Sequence, residues 1–160
     1  MKKIFLIAIC ALGTFVSKAQ NTTDDVAVLQ SAYGLDKKQI IVEHMKFTEA
    51  ESAKFWPAYD KYEAERKELG RARVNNILEY SKNYDSLSNE KASELINAAL
   101  NNQMAFTKLQ QKAYKDMSSA LSPLRAAQWI QLEVFLETVI RAEIAEQIPL
   151  VKQVDAHKKN

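Results

Sequence analysis

The residues that could carry chemistry are few and widely spaced. The chain has two histidines, His44 and His157, and one cysteine, Cys10. Neither histidine has a second one a helical turn away, so no HExxH-type zinc site can form. Glu43-His44-Met45 sets one imidazole beside one carboxylate, which is a fragment of a metal site. Three glycines, Gly13, Gly34 and Gly70, leave no glycine-rich phosphate loop, and no Gly-x-Ser-x-Gly elbow occurs. The serines, histidines and acids are too scattered to suggest a catalytic triad. Two groups of cations stand out instead. Arg66 and Arg73 lie seven residues apart within an apolar stripe, and Lys108, Lys112 and Lys115 line one helical edge. A basic edge is either a solvated face or a rim that attracts acidic segments of a partner. No catalytic residue, cofactor or resident metal is expected, and the chemistry points to binding.

The start of the chain bears on where it works. Met1-Lys2-Lys3 is followed by an apolar run from Ile4 to Val16 and then by Ser17-Lys18-Ala19-Gln20. A short basic start, a short apolar run and small residues three and one before a junction make a secretory signal peptide, with cleavage after Ala19. The run falls short of the roughly 20 apolar residues a membrane span needs. Cys10 follows Ile9 too early for a lipid-attachment signal. The removed segment holds Lys2, Lys3 and Lys18 and no acid, which leaves 19 basic residues against 20 acidic and turns a net +2 into −1. That balance gives no support for a nucleic-acid partner. The remaining chain has no cysteine, which rules out disulfides and thiolate sites and suits an oxidising compartment.

The elements that must position these residues are helices. Pro57, Pro123 and Pro149 are the only prolines, and Ala, Leu, Glu, Lys and Gln abound. Residues 20–150 read as one helical domain, with 151–160 as a polar tail. Thr23 or Asp24 can cap a short helix ending near Gly34, and Asp36 a second from Lys37 to about Met45. Thr48-Glu49-Ala50-Glu51 is a capping box that opens a long helix to about Lys82. Pro57 lies past its first turn and predicts a kink or a restart. Ser88 can cap the next helix, to about Ala120, and Ser122-Pro123 starts the last, to about Ile148. The fold class is therefore all-α, with four to five helices, a long antiparallel hairpin and a packed C-terminal helix.

Phe55, Tyr59, Tyr62, Leu69 and Ile77 share one face of the first long helix, with Arg66 and Arg73 at its centre. The next helix answers with Ala92, Leu95, Ala99, Phe106, Ala113 and Met117, interrupted by Gln103 and Gln110. An antiparallel register setting Tyr59 near Met117, Tyr62 near Tyr114 and Ile77 near Ala99 brings each arginine to a glutamine amide. The last helix is apolar over most of its girth, through Trp129, Ile130, Leu132, Val134, Phe135, Leu136, Val139, Ile140, Ile144 and Ile148. It needs more than one neighbour, from other helices, a second subunit or a client.

Two helix starts resemble the paired Leu-Thr-x-x-Gln motifs of the Spy/CpxP-like periplasmic proteins. They are Phe47-Thr48-Glu49-Ala50-Glu51 and Leu121-Ser122-Pro123-Leu124-Arg125. The first has Phe for Leu and Glu for Gln; the second has Ser for Thr and Arg for Gln. Val139 to Leu150 looks like the ending of related exported helical proteins, and the resemblance spans roughly residues 36–150.

The resemblance implies a cradle-like antiparallel homodimer in the periplasm. It also implies an ATP-independent chaperone or envelope-stress protein that binds unfolded or partner polypeptides without inserting in the membrane. On that reading Phe47, Phe55, Trp56, Tyr59, Trp129, Leu132 and Phe135 are the apolar contacts for a client, and Arg66 and Arg73 the charged ones. Two other readings fit the residues. One is an adaptor that binds a membrane regulator's outer domain. The other is a metal-sensing helical protein using His44, Glu43 and surface acids.

Overall fold

A computed structural model describes residues 35–151. These are 88 % helical in four helices, and no strand occurs among them. The helices are α1 (Lys37–Met45), α2 (Glu49–Asn83), α3 (Asn89–Ala120) and α4 (Pro123–Glu146), with a 3-10 turn, Tyr84–Ser86, between α2 and α3. The expected signal segment, the expected helix near residues 24–34 and the tail from 152 lie outside the described residues.

Each helix begins at the cap its sequence advertises. Asp36 accepts from the Gln39 amide while Gln39 reaches back to the Asp36 amide, and Thr48 and Glu51 make the same reciprocal pair. Ser88 and Ser122 accept from the amides of Lys91 and Arg125, and Pro123 occupies the first turn of α4. Lys46 takes a left-handed conformation (φ 44°, ψ 52°) and donates to the Val42 carbonyl, which ends α1 and turns the chain into α2. α2 runs unbroken through Pro57, whose ring is exposed, so the helix does not restart there. α4 ends at Glu146, slightly short of the expected Ile148.

α2 and α3 form the antiparallel hairpin, α4 packs along α3, and α1 lies on α4. Asn102 and Asn76 donate to the carbonyls of Leu69 and Leu95, and Lys112 bridges to Glu65 at 2.5 Å. Tyr59 and Tyr62 pack in one cluster with Leu109, Ala113 and Met117, close to the expected register. Ala99, by contrast, is exposed. α1 runs antiparallel to α4: Lys37 reaches Glu133, and at the other end Arg125 donates to the Met45 carbonyl at 2.8 Å.

The core has two parts. The larger is aromatic, with Phe55, Tyr59 and Tyr62 of α2 around Trp129 of α4 and Ile41 of α1. Trp129 meets Tyr62 edge-on at 5.3 Å and Phe55 at 5.7 Å, in the T-shaped geometry ring quadrupoles favour. The smaller part joins Ile40 to Leu136, Ile140 and Ile144, with Leu35 and Ile77 against it. The girth of α4 is thus shared between neighbours, although Val134 and Phe135 remain on the outside.

Phe55 is completely buried. Phe55→Ala is expected to lower the unfolding free energy by about 3–5 kcal/mol in urea titration, the usual cost of deleting a buried phenyl.

Candidate functional site

Beneath α1 lies a cluster of buried charge. Glu133 of α4 is 1 % exposed, and one of its oxygens accepts from Lys37 Nζ at 2.6 Å and from the Tyr62 hydroxyl at 2.7 Å. Lys37 also reaches Glu63 at 3.2 Å. Glu63 accepts two bonds from Arg66, at 2.8 and 2.9 Å. One turn further along α4, Glu137 takes Arg73 and, at 3.1 Å, Arg141, with Arg66 Nη1 at 3.8 Å. The arginines Arg66 and Arg73 therefore meet glutamates of α2 and α4. Gln103 is exposed. A full negative charge offsets a buried guanidinium far better than an amide dipole. Arg73 also stacks over Phe106 at 4.5 Å.

Glu133 and Glu137 are absent from the sequence-derived candidates. A signal was available. Ala126, Trp129, Glu133, Leu136, Ile140 and Ile144 recur at helical spacing, which places Glu133 on the core stripe of α4, and Glu137 stands one turn on.

Burial by itself would raise the Glu63 carboxyl; the Arg66 bonds and the nearby Lys37 outweigh it and hold the group at about 2. Burial, with the Glu63 and Glu133 carboxylates close by, pushes the Tyr59 hydroxyl well above the ordinary phenol range. Burial and Glu133 do the same to Tyr62. Both tyrosines stay neutral donors near neutral pH, and Glu63 stays an acceptor.

The two helix starts with related motifs meet in space. Arg125 donates to Glu51 at 2.8 Å, to the Met45 carbonyl and to Gln128, and its guanidinium lies 4.8 Å from the Phe47 ring. The start of α2 contributes an acid and the start of α4 a base. Hydrogen bonding from the Thr48 amide and then from Arg125 lowers the Glu51 carboxyl.

The residues expected to meet a client divide sharply. Phe55, Tyr59 and Trp129 are 0–1 % exposed and Arg66 is 3 % exposed, so the folded monomer offers them to no partner. They are core because α1 and α4 close over them. Phe47, Trp56 and Arg73 are partly buried. Leu132 is partly buried and Phe135 is 52 % exposed, and these two line a groove between α1 and α4. The groove has a volume near 460 Å³. Ile40, Met45 and Leu136 complete its apolar wall, while His44, Arg125, Gln128 and Gln131 supply polar groups. His44 Nδ1 lies 3.0 Å from the Ile40 carbonyl and must donate to it, which leaves Nε2 for another partner. None of the three glutamates lines this groove.

Two other surface features matter. Lys112 of the expected basic edge is bridged to Glu65, which neutralises part of that edge. On α3, Ile96, Leu100 and Met104 are 53–56 % exposed at four-residue spacing, in a stretch with no charged residue from 95 to 107. Among the described residues no three His, Cys, Asp or Glu groups gather as metal ligands. No described helix is long and apolar enough to cross a membrane.

Comparison with protein-family models, curated proteins and solved structures finds no match.

Two measurements check this geometry. Lys37→Met strands the Glu133 charge and is expected to cost about 3–5 kcal/mol of stability. Adding Glu133→Gln, which keeps an acceptor for Tyr62, should recover much of that loss; a double variant no better than the single would contradict the pairing. Glu63 has a folded value of about 2, below its ordinary one, so its stabilisation is complete above about pH 4.5 and fades as pH falls toward 2. Urea titrations across that window should show stability declining with acid, and Glu63→Gln should flatten the decline.

Proposed function

We propose that this chain is an exported polypeptide-binding protein, an ATP-independent chaperone-like or envelope-stress protein of the Spy/CpxP-like kind. It holds an apolar partner segment in the groove between α1 and α4. One observation carries this reading. Of the aromatic residues that the helix patterning offers for contact, Phe135 alone is more than half exposed, and it lies in a groove with Leu132. An apolar wall of Ile40, Met45, Leu132 and Leu136 between two helices is a surface that gains by taking up an apolar segment. Gln128 and Gln131 on the rim can bond the backbone of an entering segment. Lys46 and Arg125 at one end favour an acidic flank, though Arg125 shares its charge with Glu51. Such binding needs no nucleotide.

A membrane regulator's outer domain would use the same groove, presenting a folded helix instead of an unfolded segment. The expected homodimer has its own support in the Ile96, Leu100 and Met104 stripe. An antiparallel pairing of two copies there brings no like charges together.

The test is light scattering from a reduced or heated model client, without ATP, with the protein supplied up to equimolar amounts. Aggregation should be suppressed. Phe135→Ser should require roughly tenfold more protein for the same suppression, about 1.4 kcal/mol of binding, with melting temperature little changed because the side chain is half exposed. Absence of suppression by the unaltered chain would remove the chaperone reading and leave the adaptor.

A further inference from the structure

α1 has nine residues, fewer than the roughly 12 at which a helix begins to hold alone in water. It is helical because it is docked. Its buried side carries Lys37, Ile40, Ile41 and Met45. Lys37 meets Glu133 and Glu63, Ile40 packs with Leu136 and Ile140, and Ile41 and Met45 join the cluster of Phe55 and Trp129. Beneath α1, therefore, lies a surface made by α2 and α4 alone, with two carboxylates at one end and an apolar floor beyond them. We infer that this surface is a docking site for a partner polypeptide's helix, and that α1 is its resident, exchangeable occupant. The incoming helix carries a cation followed by apolar residues at the third, fourth and eighth places after it, as α1 does from Lys37. The inference goes beyond the groove reading, since it concerns the face under α1 and not the one beside it.

Three features favour exchange. The first is the hinge. Lys46 has a positive φ of 44°, a conformation that strains a residue with a Cβ and that is released when α1 swings away. The second is independence. The bonds that join α2 to α3, from Asn102, Asn76 and Lys112, do not pass through α1, so it can lift without undoing the helices that form its site. The third is an unfilled acceptor. Lys37 and the Tyr62 hydroxyl both bond Glu133 Oε1, while the buried Oε2 has no hydrogen-bond partner. An arginine presents parallel donors that can take both oxygens of a carboxylate, which a lysine ammonium does less well. An arginine-led helix thus has an advantage to set against the high effective concentration of the tethered α1. Arg66 already shares Glu63, so Glu133 is the main anchor. At the rim, Lys38 bridges the exposed Asp60 at 2.9 Å and lies 5.2 Å from the Trp56 ring, so a second cation beside the first is also accommodated.

The probe is a fluorescent peptide of residues 35–46, made as it stands and with Lys37→Arg. Each form is titrated into the whole chain and into its Ile41→Ser variant, which loosens α1 and leaves α2 and α4 unaltered. Ile41→Ser should bind either peptide roughly tenfold more tightly than the unaltered chain does. It should also prefer the arginine form, and adding Glu133→Gln should erase that preference. Equal affinity of the two chains, or a preference that survives Glu133→Gln, overturns the inference. If circular dichroism shows that Ile41→Ser loses more helix than α1 supplies, hydrogen exchange on the unaltered chain decides. Its α1 amides should then exchange through a local opening, roughly tenfold faster than those of residues 55–66 and 129–140. Exchange of all three segments at one rate overturns the inference. A dimer of the unaltered chain that the peptide dissociates would assign the site to a second copy's α1 and overturn the partner helix. If the peptides behave as stated but no client is held, the site under α1 stands and the groove reading falls.

Discussion

The structure depends on holding glutamates inside a helical bundle. Glu133 is almost wholly buried and its neighbour Glu137 nearly so. An uncompensated carboxylate there would be prohibitively costly. Each is met by cations from elsewhere in the chain: Lys37 from α1 for Glu133, and Arg66, Arg73 and Arg141 around Glu137. The arrangement is specific in a way that apolar packing is not. Leucines tolerate a slipped helix; a buried carboxylate one turn from its cation does not. Lys37 is the only buried lysine among the described residues, and it fixes where the short α1 sits on α4. The wall of the groove follows from that placement, since Ile40, His44 and Met45 are carried on α1.

At the other end of α1 a second polar contact does related work near the surface. Arg125 holds the start of α4 to the start of α2 through Glu51, and to the end of α1 through the Met45 carbonyl. The contact is an ion pair between two helix starts that lie 74 positions apart in the chain. Phe47 and Leu121, the residues just before the caps Thr48 and Ser122, pack on the same cluster. The helix starts thus form a common joint.

What was legible in the sequence is what is decided locally. The caps at Asp36, Thr48, Ser88 and Ser122 are visible because a cap is settled within four residues. The apolar faces of α2 and α3 follow from spacing alone. The buried glutamates were not legible in that way. Whether a carboxylate can be buried turns on a partner 96 positions away for Lys37 and Glu133, and 64 for Arg73 and Glu137. A pattern of apolar spacing also cannot distinguish a face that packs inward from one that waits for a client. Hence Phe55, Tyr59 and Trp129 look like contact residues until α1 and α4 are seen to cover them, whereas Phe135 keeps its exposure. Pro57 is similar: a missing amide is readable, but a helix held by packing on both sides of it is not.

The two indoles are sited very differently. Trp129 is sealed among phenyl and phenol rings with its Nε1 lacking any hydrogen-bond partner, while Trp56 sits at the edge of the same cluster with Lys38 Nζ 5.2 Å from its ring. The protein therefore carries two natural fluorophores, one dry and one half wet. Emission from the first is shielded from dissolved quenchers for as long as α1 stays down. The second reports on the solvent beside it, so lifting of that short helix could be followed optically without attaching any dye.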